Sequence, residues 1–181
     1  MAKISMRKIL RQVLENVGIP ESYYSIGSYK EGATCIEKVG KVYVVYDAER
    51  AERYGSTEHK RELEACTEII RRIAKNNKDF QILKQEFYDT RAKELLKQVF
   101  DEEGISGQYY SLEGYAEEVV CMEKNNNSYI VYIGEKGNKG DVSNHPNISK
   151  ALLKLISEVT ESYAQEEKVV EAFINKLYKT V

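Results

Sequence analysis

The strongest constraint on the fold of this chain is an internal repeat. The sequence reads YYSIGSYKEGATCIEKVGKVYVVYDAE from Tyr23 to Glu49 and YYSLEGYAEEVVCMEKNNNSYIVYIGE from Tyr109 to Glu135, at a constant offset of 86 residues and without a gap. A fixed offset over such a length is typical of a duplicated structural unit. We therefore expect two copies of one small fold, over residues 1–90 and 91–181, in one rigid two-lobed body.

Composition restricts the classes of protein to which the chain can belong. Of its 181 residues, 31% are charged and 42% are hydrophobic, which is typical of a folded, soluble protein. The net charge of −2 gives no overall attraction to nucleic acid or to an anionic membrane. No apolar run is long enough to span a bilayer, and the N-terminal residues lack the apolar core of a secretory signal. We expect a cytoplasmic protein.

Each copy begins with a predicted amphipathic helix followed by predicted strands. Apolar residues recur at three- and four-residue spacing from Met6 to Val17 and again from Leu95 to Phe100. Runs rich in Tyr, Val and Ile predict three strands in the first copy, with a matching set after Tyr109. The first-copy strands are Tyr23–Tyr29, Ala33–Val39 and Val42–Asp47. Their short connections predict an antiparallel meander.

Two further helical segments complete each copy. Their apolar residues run from Leu63 to Ile73 and from Phe80 to Phe87, and then from Ala151 to Val159 and from Val169 to Leu177. Because no Pro or Gly lies between Lys75 and Glu103, the last helix of the first copy should continue, straight or slightly bent, into the second copy. The predicted fold class is α+β: two tandem α-β-β-β-α-α repeats, each with a three-stranded antiparallel meander packed on helices.

Tyrosine is the residue type that the repeat retains most often. Five positions keep it in both copies, so ten of the fourteen tyrosines are paired in this way. The third strand is bulky on both faces, with Val44 and Tyr46 alternating with Tyr43 and Val45. One face should pack on the helices of its own copy, and the other needs a cover from the sister copy or from another protein. Because Tyr combines a large area with a polar tip, these side chains fit either a core or an interface.

The retained positions lack the pattern of a catalytic centre. A nucleophile with a base, or a pair of carboxylates, needs Ser, Cys, His, Asp or Glu to converge in a cleft. The acids retained at Glu37 and Glu49 have no retained histidine beside them. We expect a protein that is not an enzyme and has no cofactor.

Cysteine and histidine usage argues against a metal site. Cys35, Cys66 and Cys121 are widely spaced and fit buried thiols better than a disulfide or a metal site. His59 and His145 have neither a cysteine nor a second histidine nearby. No metal is therefore expected.

Five segments of the first copy carry a resemblance to a known family. They are Tyr24–Tyr29, Cys35–Glu37, Val44–Tyr46, Glu49–Arg50 and Glu64–Cys66. A tyrosine-led strand, a short meander and an ERG-like element ahead of an EAC helix resemble small bacterial immunity proteins of polymorphic toxin systems. The resemblance implies a cytoplasmic, non-catalytic protein that binds and neutralises a toxin domain encoded beside it.

The two copies depart from the pattern of that family at the ERG-like element. Ala51 stands where the first copy would have Gly, and Lys136 stands where the second would have Arg. The second copy also replaces Ala-Cys by Ala151–Leu152. These departures leave the role of the element open.

The first hypothesis is therefore an immunity protein that occludes the active site or substrate groove of its cognate toxin domain. The predicted partner-binding residues lie at strand ends or on an exposed sheet face: Tyr29, Glu31, Asp47, Glu49, Arg50, Glu113, Tyr115, Glu117, Glu118 and Glu135. Since acids concentrate in the second copy, a basic groove such as that of a nuclease would face it. The oligomeric state and the repeat that contacts the toxin stay open.

A second hypothesis is a nucleic-acid-binding module. The stretch HKRELEACTEIIRRIAKNNK concentrates basic residues at positions 60, 61, 71, 72, 75 and 78. Interleaved glutamates weaken this hypothesis, because pairing at i,i+4 on a solvated helix explains the same pattern. An adaptor with another partner would share every feature of the first hypothesis.

Overall fold

The computed structural model describes residues 4–179 and has an α+β fold. The chain forms two compact units that divide between Arg91 and Ala92. We call the part before the division unit 1 and the part after it unit 2. The described residues contain five α-helices and two four-stranded sheets, one sheet in each unit.

The helices lie where the apolar periodicity predicted them. Their bounds are α1 Met6–Val17, α2 Glu62–Ile73, α3 Asn77–Glu102, α4 Ile148–Val159 and α5 Tyr163–Lys179. The uninterrupted stretch between residues 75 and 103 forms the single helix α3. No helix in residues 4–179 combines the length and the apolar character needed to cross a membrane.

The two sheets have the same strand order. Unit 1 contains β1 Tyr24–Ile26, β2 Thr34–Val39, β3 Val42–Glu49 and β4 Glu52–His59. Unit 2 contains β5 Tyr110–Ser111, β6 Val120–Asn125, β7 Ser128–Glu135 and β8 Asn138–His145. Neighbours in each sheet follow the order of the sequence. The register also repeats, because Cys35 lies opposite Tyr46 and, 86 residues later, Cys121 lies opposite Tyr132.

The predicted three-stranded antiparallel meander is wrong in two respects. First, β1 pairs with β2 in parallel, with Tyr24 opposite Thr34, and it spans Tyr24–Ile26 rather than Tyr23–Tyr29. Residues 27–33 therefore cross over the sheet instead of turning back in a hairpin. Second, a fourth strand pairs antiparallel with β3 in unit 1 and with β7 in unit 2. Four strands thus replace the three of the predicted α-β-β-β-α-α pattern.

The helix side of the first sheet carries the main core of unit 1. Leu10 and Leu14 of α1 and Ile69 of α2 pack against Ile36 and Val45 of the sheet, all of them buried. The free energy of unfolding is sensitive to such positions, because trimming a buried Leu or Ile to Ala costs about 2–5 kcal/mol.

Part of the opposite face of each sheet is covered from within its own unit. In unit 1, Tyr46 is fully buried in a cluster with Ala33, Cys35 and Ala48, and the ring of Tyr29 stacks on it at a centroid distance of 6.3 Å. The crossing segment, residues 27–33, supplies Tyr29 and Ala33. The expectation that the sister copy or another protein covers this face is therefore wrong at Tyr46. The equivalent ring in unit 2 is covered in the same way, by Tyr115 at 6.5 Å from Tyr132.

Candidate partner-binding surface

A two-residue turn joins the last two strands of each sheet. In unit 1, Glu49 pairs with Glu52, and the turn residues Arg50 and Ala51 have φ angles of 52° and 63°. Positive φ at both positions gives the backbone twist that two-residue hairpins need. The turn of unit 2 has φ angles of 50° and 77° at positions 136 and 137. The ERG-like element is thus a hairpin turn, where glycine fits best at the second turn position.

The crossing segment holds the turn of unit 1 in place. The Glu31 carboxylate accepts hydrogen bonds from the backbone N–H groups of Arg50 at 2.5 Å and Ala51 at 3.1 Å, and from the Tyr29 hydroxyl at 2.6 Å. The bond from Tyr29, and then the two backbone bonds, lower the pKa of Glu31, while the same carboxylate raises the pKa of Tyr29 to about 12. We call residues 49–52 together with Tyr29 and Glu31 the first tip.

Unit 2 repeats this arrangement with one added bond. Glu117 accepts from the Tyr115 hydroxyl at 2.6 Å, from the backbone N–H of Lys136 and from that of Gly137 at 3.3 Å. The N–H of Gly137 also donates to the Tyr115 hydroxyl at 2.7 Å. We call residues 135–138 together with Tyr115 and Glu117 the second tip. In both units, therefore, predicted interface residues shape the turn as well as the surface.

The remaining predicted residues divide between internal pairs and open surface. Asp47 accepts from the Thr34 hydroxyl at 2.8 Å, and Glu113 pairs with Lys93 at 3.3 Å, so these two carboxylates are engaged within their own units. Three exposed carboxylates lie at the tips or beside them: Glu49, Glu118 and Glu135. Arg50, with 84% of its side chain exposed, pairs only with its neighbour Glu49 at 3.5 Å among the described residues.

The repeated tyrosines divide into core and surface. Tyr46 and Tyr132 are core, whereas Tyr29 and Tyr115 at the tips are exposed. The position before β1 is more exposed still, at 58% for Tyr23 and 56% for its counterpart in unit 2. Tyr23 was not among the predicted interface residues, although its retention in the repeat was visible in the sequence.

A shallow depression of about 340 Å³ adjoins the first tip. Its lining includes Tyr23, Asp47, Glu49 and Arg72. Two predicted interface residues, Asp47 and Glu49, therefore share one concave surface with an exposed aromatic ring. Such a surface can accept a side chain from another protein.

Sequence reasoning missed a cation held over one buried sheet tyrosine in each unit. In unit 1 the Arg53 guanidinium lies 4.5 Å from the ring centre of Tyr46 and donates to Glu37 at 2.8 Å. The Tyr46 hydroxyl donates to the same carboxylate. Lys139, Tyr132 and Glu123 repeat this arrangement in unit 2. The offset of 86 residues could have revealed the pairing, but β4 had not been recognised as a strand.

Each unit has a hydroxyl–histidine contact whose geometry differs from that of a catalytic triad. Ser143 Oγ lies 2.9 Å from Nε2 of His145, and Thr57 Oγ1 lies 3.1 Å from Nε2 of His59. Ser143 donates to the carbonyl of Val131 at 3.1 Å, so its proton is directed at the backbone. Within residues 4–179, no carboxylate hydrogen-bonds to either imidazole, as a Ser-His-acid triad would require.

Metal-ligating side chains are also dispersed. The thiols of Cys35, Cys66 and Cys121 are buried and free, as expected. Burial raises the pKa of Cys66. In the described part of the chain, no three His, Cys, Asp or Glu residues are grouped in a way that could hold a metal ion.

The arginines in α2 and directly before it are engaged by glutamates of the helix. Glu68 accepts from Arg71 at 2.6 Å and from Arg72 at 2.8 Å, and Arg61 pairs with Glu64 at 3.7 Å. The structure therefore gives the nucleic-acid hypothesis no support from this helix.

Comparison of the chain with protein-family models, with curated proteins and with solved structures finds no match in any of the three.

Proposed function

We propose that this chain is an immunity protein that binds a cognate bacterial toxin domain and occludes its active site or substrate groove. The observation that carries the proposal is the pair of clamped tips. Each tip is exposed, bears a tyrosine ring and is held in one conformation by a glutamate. A surface ordered before binding loses less entropy on association, which favours specific recognition of a protein.

The charge of the tips indicates the chemistry of the partner. Glu49 and Glu52 flank the first turn, while Glu135 and the nearby Glu118 are exposed in unit 2. Complementary potentials speed encounter and exclude wrong partners, so a basic groove fits these surfaces. A toxin domain that binds nucleic acid has such a groove.

Co-expression tests the proposal directly. The chain is produced in bacteria together with the toxin-like domain encoded by the adjacent gene, and growth and co-purification are scored. We expect growth to be rescued and a stable one-to-one complex to form. Toxicity that persists although the chain is expressed and folded, without a complex, would overturn the proposal.

Charge reversal tests the surface within that complex. Glu118→Lys with Glu135→Lys alters two exposed carboxylates that make no hydrogen bond to another described side chain. We expect the dissociation constant to rise by about 10- to 100-fold, since interface charge pairs contribute on the order of 1.5 kcal/mol or more. The matched control is Glu167→Lys with Glu171→Lys, which makes the same change of net charge on the exposed side of α5. Equal losses of affinity in the two double variants would show that Glu118 and Glu135 do not lie in the interface.

A further inference from the structure

A guanidinium fills the space between α2 and the edge of the sheet in unit 1. Arg72 donates to Glu68 at 2.8 Å, to Asp47 at 3.2 Å, to the carbonyl of Gly55 at 2.6 Å and to the Thr57 hydroxyl at 3.2 Å. Only 10% of this side chain is exposed. The arginine is therefore held between α2 and β4 by four acceptors, and it also lines the depression beside the first tip.

Unit 2 leaves the equivalent space open. Glu158 stands at the position of Arg72 and Lys154 at that of Glu68, so the ion pair between these helix positions is kept with its charges reversed. Both side chains line the edge of this space and are partly exposed, with 39% of Lys154 and 36% of Glu158 accessible. A depression of about 290 Å³ remains. Its lining includes Ile133, Asp141, Ser143, Lys154 and Glu158, which are the counterparts of all five residues in the Arg72 network.

The open depression keeps one side-chain acceptor of the Arg72 network, the Ser143 hydroxyl, and adds the carboxylate of Asp141. Ile133 and Lys154 replace the two carboxylates, Asp47 and Glu68, that Arg72 uses in unit 1. Ser143 occupies the place of Thr57, and its hydroxyl donates to a carbonyl of the neighbouring strand as that of Thr57 does. Thr57 also accepts a hydrogen bond from Arg72, and a lone pair of the Ser143 oxygen is available for the same kind of bond. The carboxylate of Asp141 makes no hydrogen bond or ion pair to another described residue. Ile133 and Val120 add an apolar wall against which an alkyl stem can pack.

We propose that this depression, the unit 2 arginine site, receives an arginine side chain of the bound protein partner. The inference rests on the proposed function only for the source of that arginine. Arginine fits better than lysine because its planar fork can donate to the Ser143 hydroxyl and to the Asp141 carboxylate at once. Buried arginines are also frequent among the side chains that dominate protein interfaces.

A small-molecule probe tests the site without the partner. The full chain, labelled with ¹⁵N, is titrated with N-acetyl-arginine amide and, separately, with N-acetyl-lysine amide. We expect saturable shifts at the amides of Asp141, Ser143 and Glu158, with a dissociation constant on the order of 1–10 mM for the arginine probe. The lysine probe should bind at least about fivefold more weakly. Arg72→Ala, which opens the space in unit 1, provides a positive control and should gain a second set of shifts there.

Two variants separate binding from folding. Lys154→Glu with Glu158→Arg recreates the Glu68–Arg72 pair and should fill the site with its own guanidinium, abolishing the shifts while the chain stays folded. Asp141→Gly restores the glycine found at the counterpart Gly55, and both positions have positive φ, at 47° and 57°. This variant should keep or raise Tm, yet raise the dissociation constant of the arginine probe at least about threefold.

The outcomes distinguish this site from the proposed function. If the probe binds as described but no toxin domain forms a complex, the arginine site stands and the proposed function fails. If a complex forms and the double variant alters neither probe binding nor partner affinity, the function stands and the site is overturned. An absence of saturable shifts in unit 2, with shifts present in Arg72→Ala, also overturns the site.

Discussion

At one position the turns of the two units differ in backbone strain. Ala51 and Gly137 occupy the same turn position, with φ angles of 63° and 77°. An L-residue with a Cβ pays about 1 kcal/mol for this conformation, and glycine does not. Gly137 therefore avoids a backbone cost that Ala51 carries in unit 1.

Exchanging these two residues should move stability in opposite directions. We expect Ala51→Gly to raise the free energy of unfolding by about 1 kcal/mol and Gly137→Ala to lower it by a similar amount. For a chain of this length the corresponding change in Tm is about 2–4 °C. Thermal unfolding followed by circular dichroism measures both. A lower Tm for Ala51→Gly would show that the turn tolerates its alanine without strain.

Another residue-scale prediction concerns a buried hydroxyl. Tyr24 is 4% exposed, and its hydroxyl makes no hydrogen bond within the described part of the chain. Burial also raises the pKa of this group. Because burying an unpaired polar group is unfavourable, we expect Tyr24→Phe to stabilise the protein by about 1 kcal/mol. Tyr110→Phe, at the half-buried counterpart, should change the unfolding free energy by less than about 0.5 kcal/mol. Urea unfolding of both variants checks this, and a destabilised Tyr24→Phe would reveal a partner for the hydroxyl.

At the scale of the elements, charge on α2 links stability to pH. Hydrogen bonds from Arg71 and then Arg72 lower the pKa of Glu68 to about 2. The folded state thus holds this carboxylate ionised where the unfolded chain would protonate it. Its contribution is complete above the ordinary glutamate pKa and is lost as the pH falls toward 2.

Removing this carboxylate should weaken the dependence of the unfolding free energy on pH in the acid range. We expect wild type to lose on the order of 1–2 kcal/mol more than Glu68→Gln between pH 5 and pH 2, allowing for solvent screening of the pair. The control is Glu171→Gln, at an exposed glutamate of α5, which should follow wild type. Urea midpoints across this range measure the difference. Parallel curves for wild type and Glu68→Gln would mean that the arginines do not hold Glu68 ionised.

The elements also show which signals a sequence carries. Periodic apolar residues sufficed for the helices α1, α2 and α4, because each of these buries one apolar stripe. The strand β4 was missed because Glu52–His59 is almost entirely polar. It forms a strand because the turn brings it alongside β3, with which it pairs. The parallel pairing of β1 was missed because such a crossover usually takes a dozen residues or more, whereas here residues 27–33 suffice.

At the scale of the whole molecule, the candidate surface could be predicted only in part. The sequence pattern predicts Tyr29 and Glu31 as neighbours at a strand end, and the structure joins them by a hydrogen bond. That Glu31 also clamps a turn 19 residues away depends on the crossing segment, which local patterns do not encode. The exchange of Arg72 for Glu158 is legible in the repeat, but its consequence requires knowing that the arginine points into the sheet edge.

The distribution of charge along the chain is uneven at this scale. Residues 92–180 contain 10 Lys and Arg against 15 Asp and Glu, whereas residues 1–91 contain 17 against 14. The net charge of −2 is therefore the sum of a charge of +3 in unit 1 and a charge of −5 in unit 2. An acidic surface attracts a basic partner over about one Debye length, which shortens as salt is added.

Association with the toxin domain should consequently depend on ionic strength through the rate of encounter. Between 50 and 500 mM NaCl we expect the association rate constant to fall about tenfold, while the dissociation rate constant changes less than about threefold. Stopped-flow or surface-based kinetics measures both constants. Glu118→Lys with Glu135→Lys should show a shallower salt dependence of association, since it removes the attracting charge. If salt changes mainly the dissociation rate constant instead, the carboxylates of Glu118 and Glu135 form short-range contacts and do not steer the encounter.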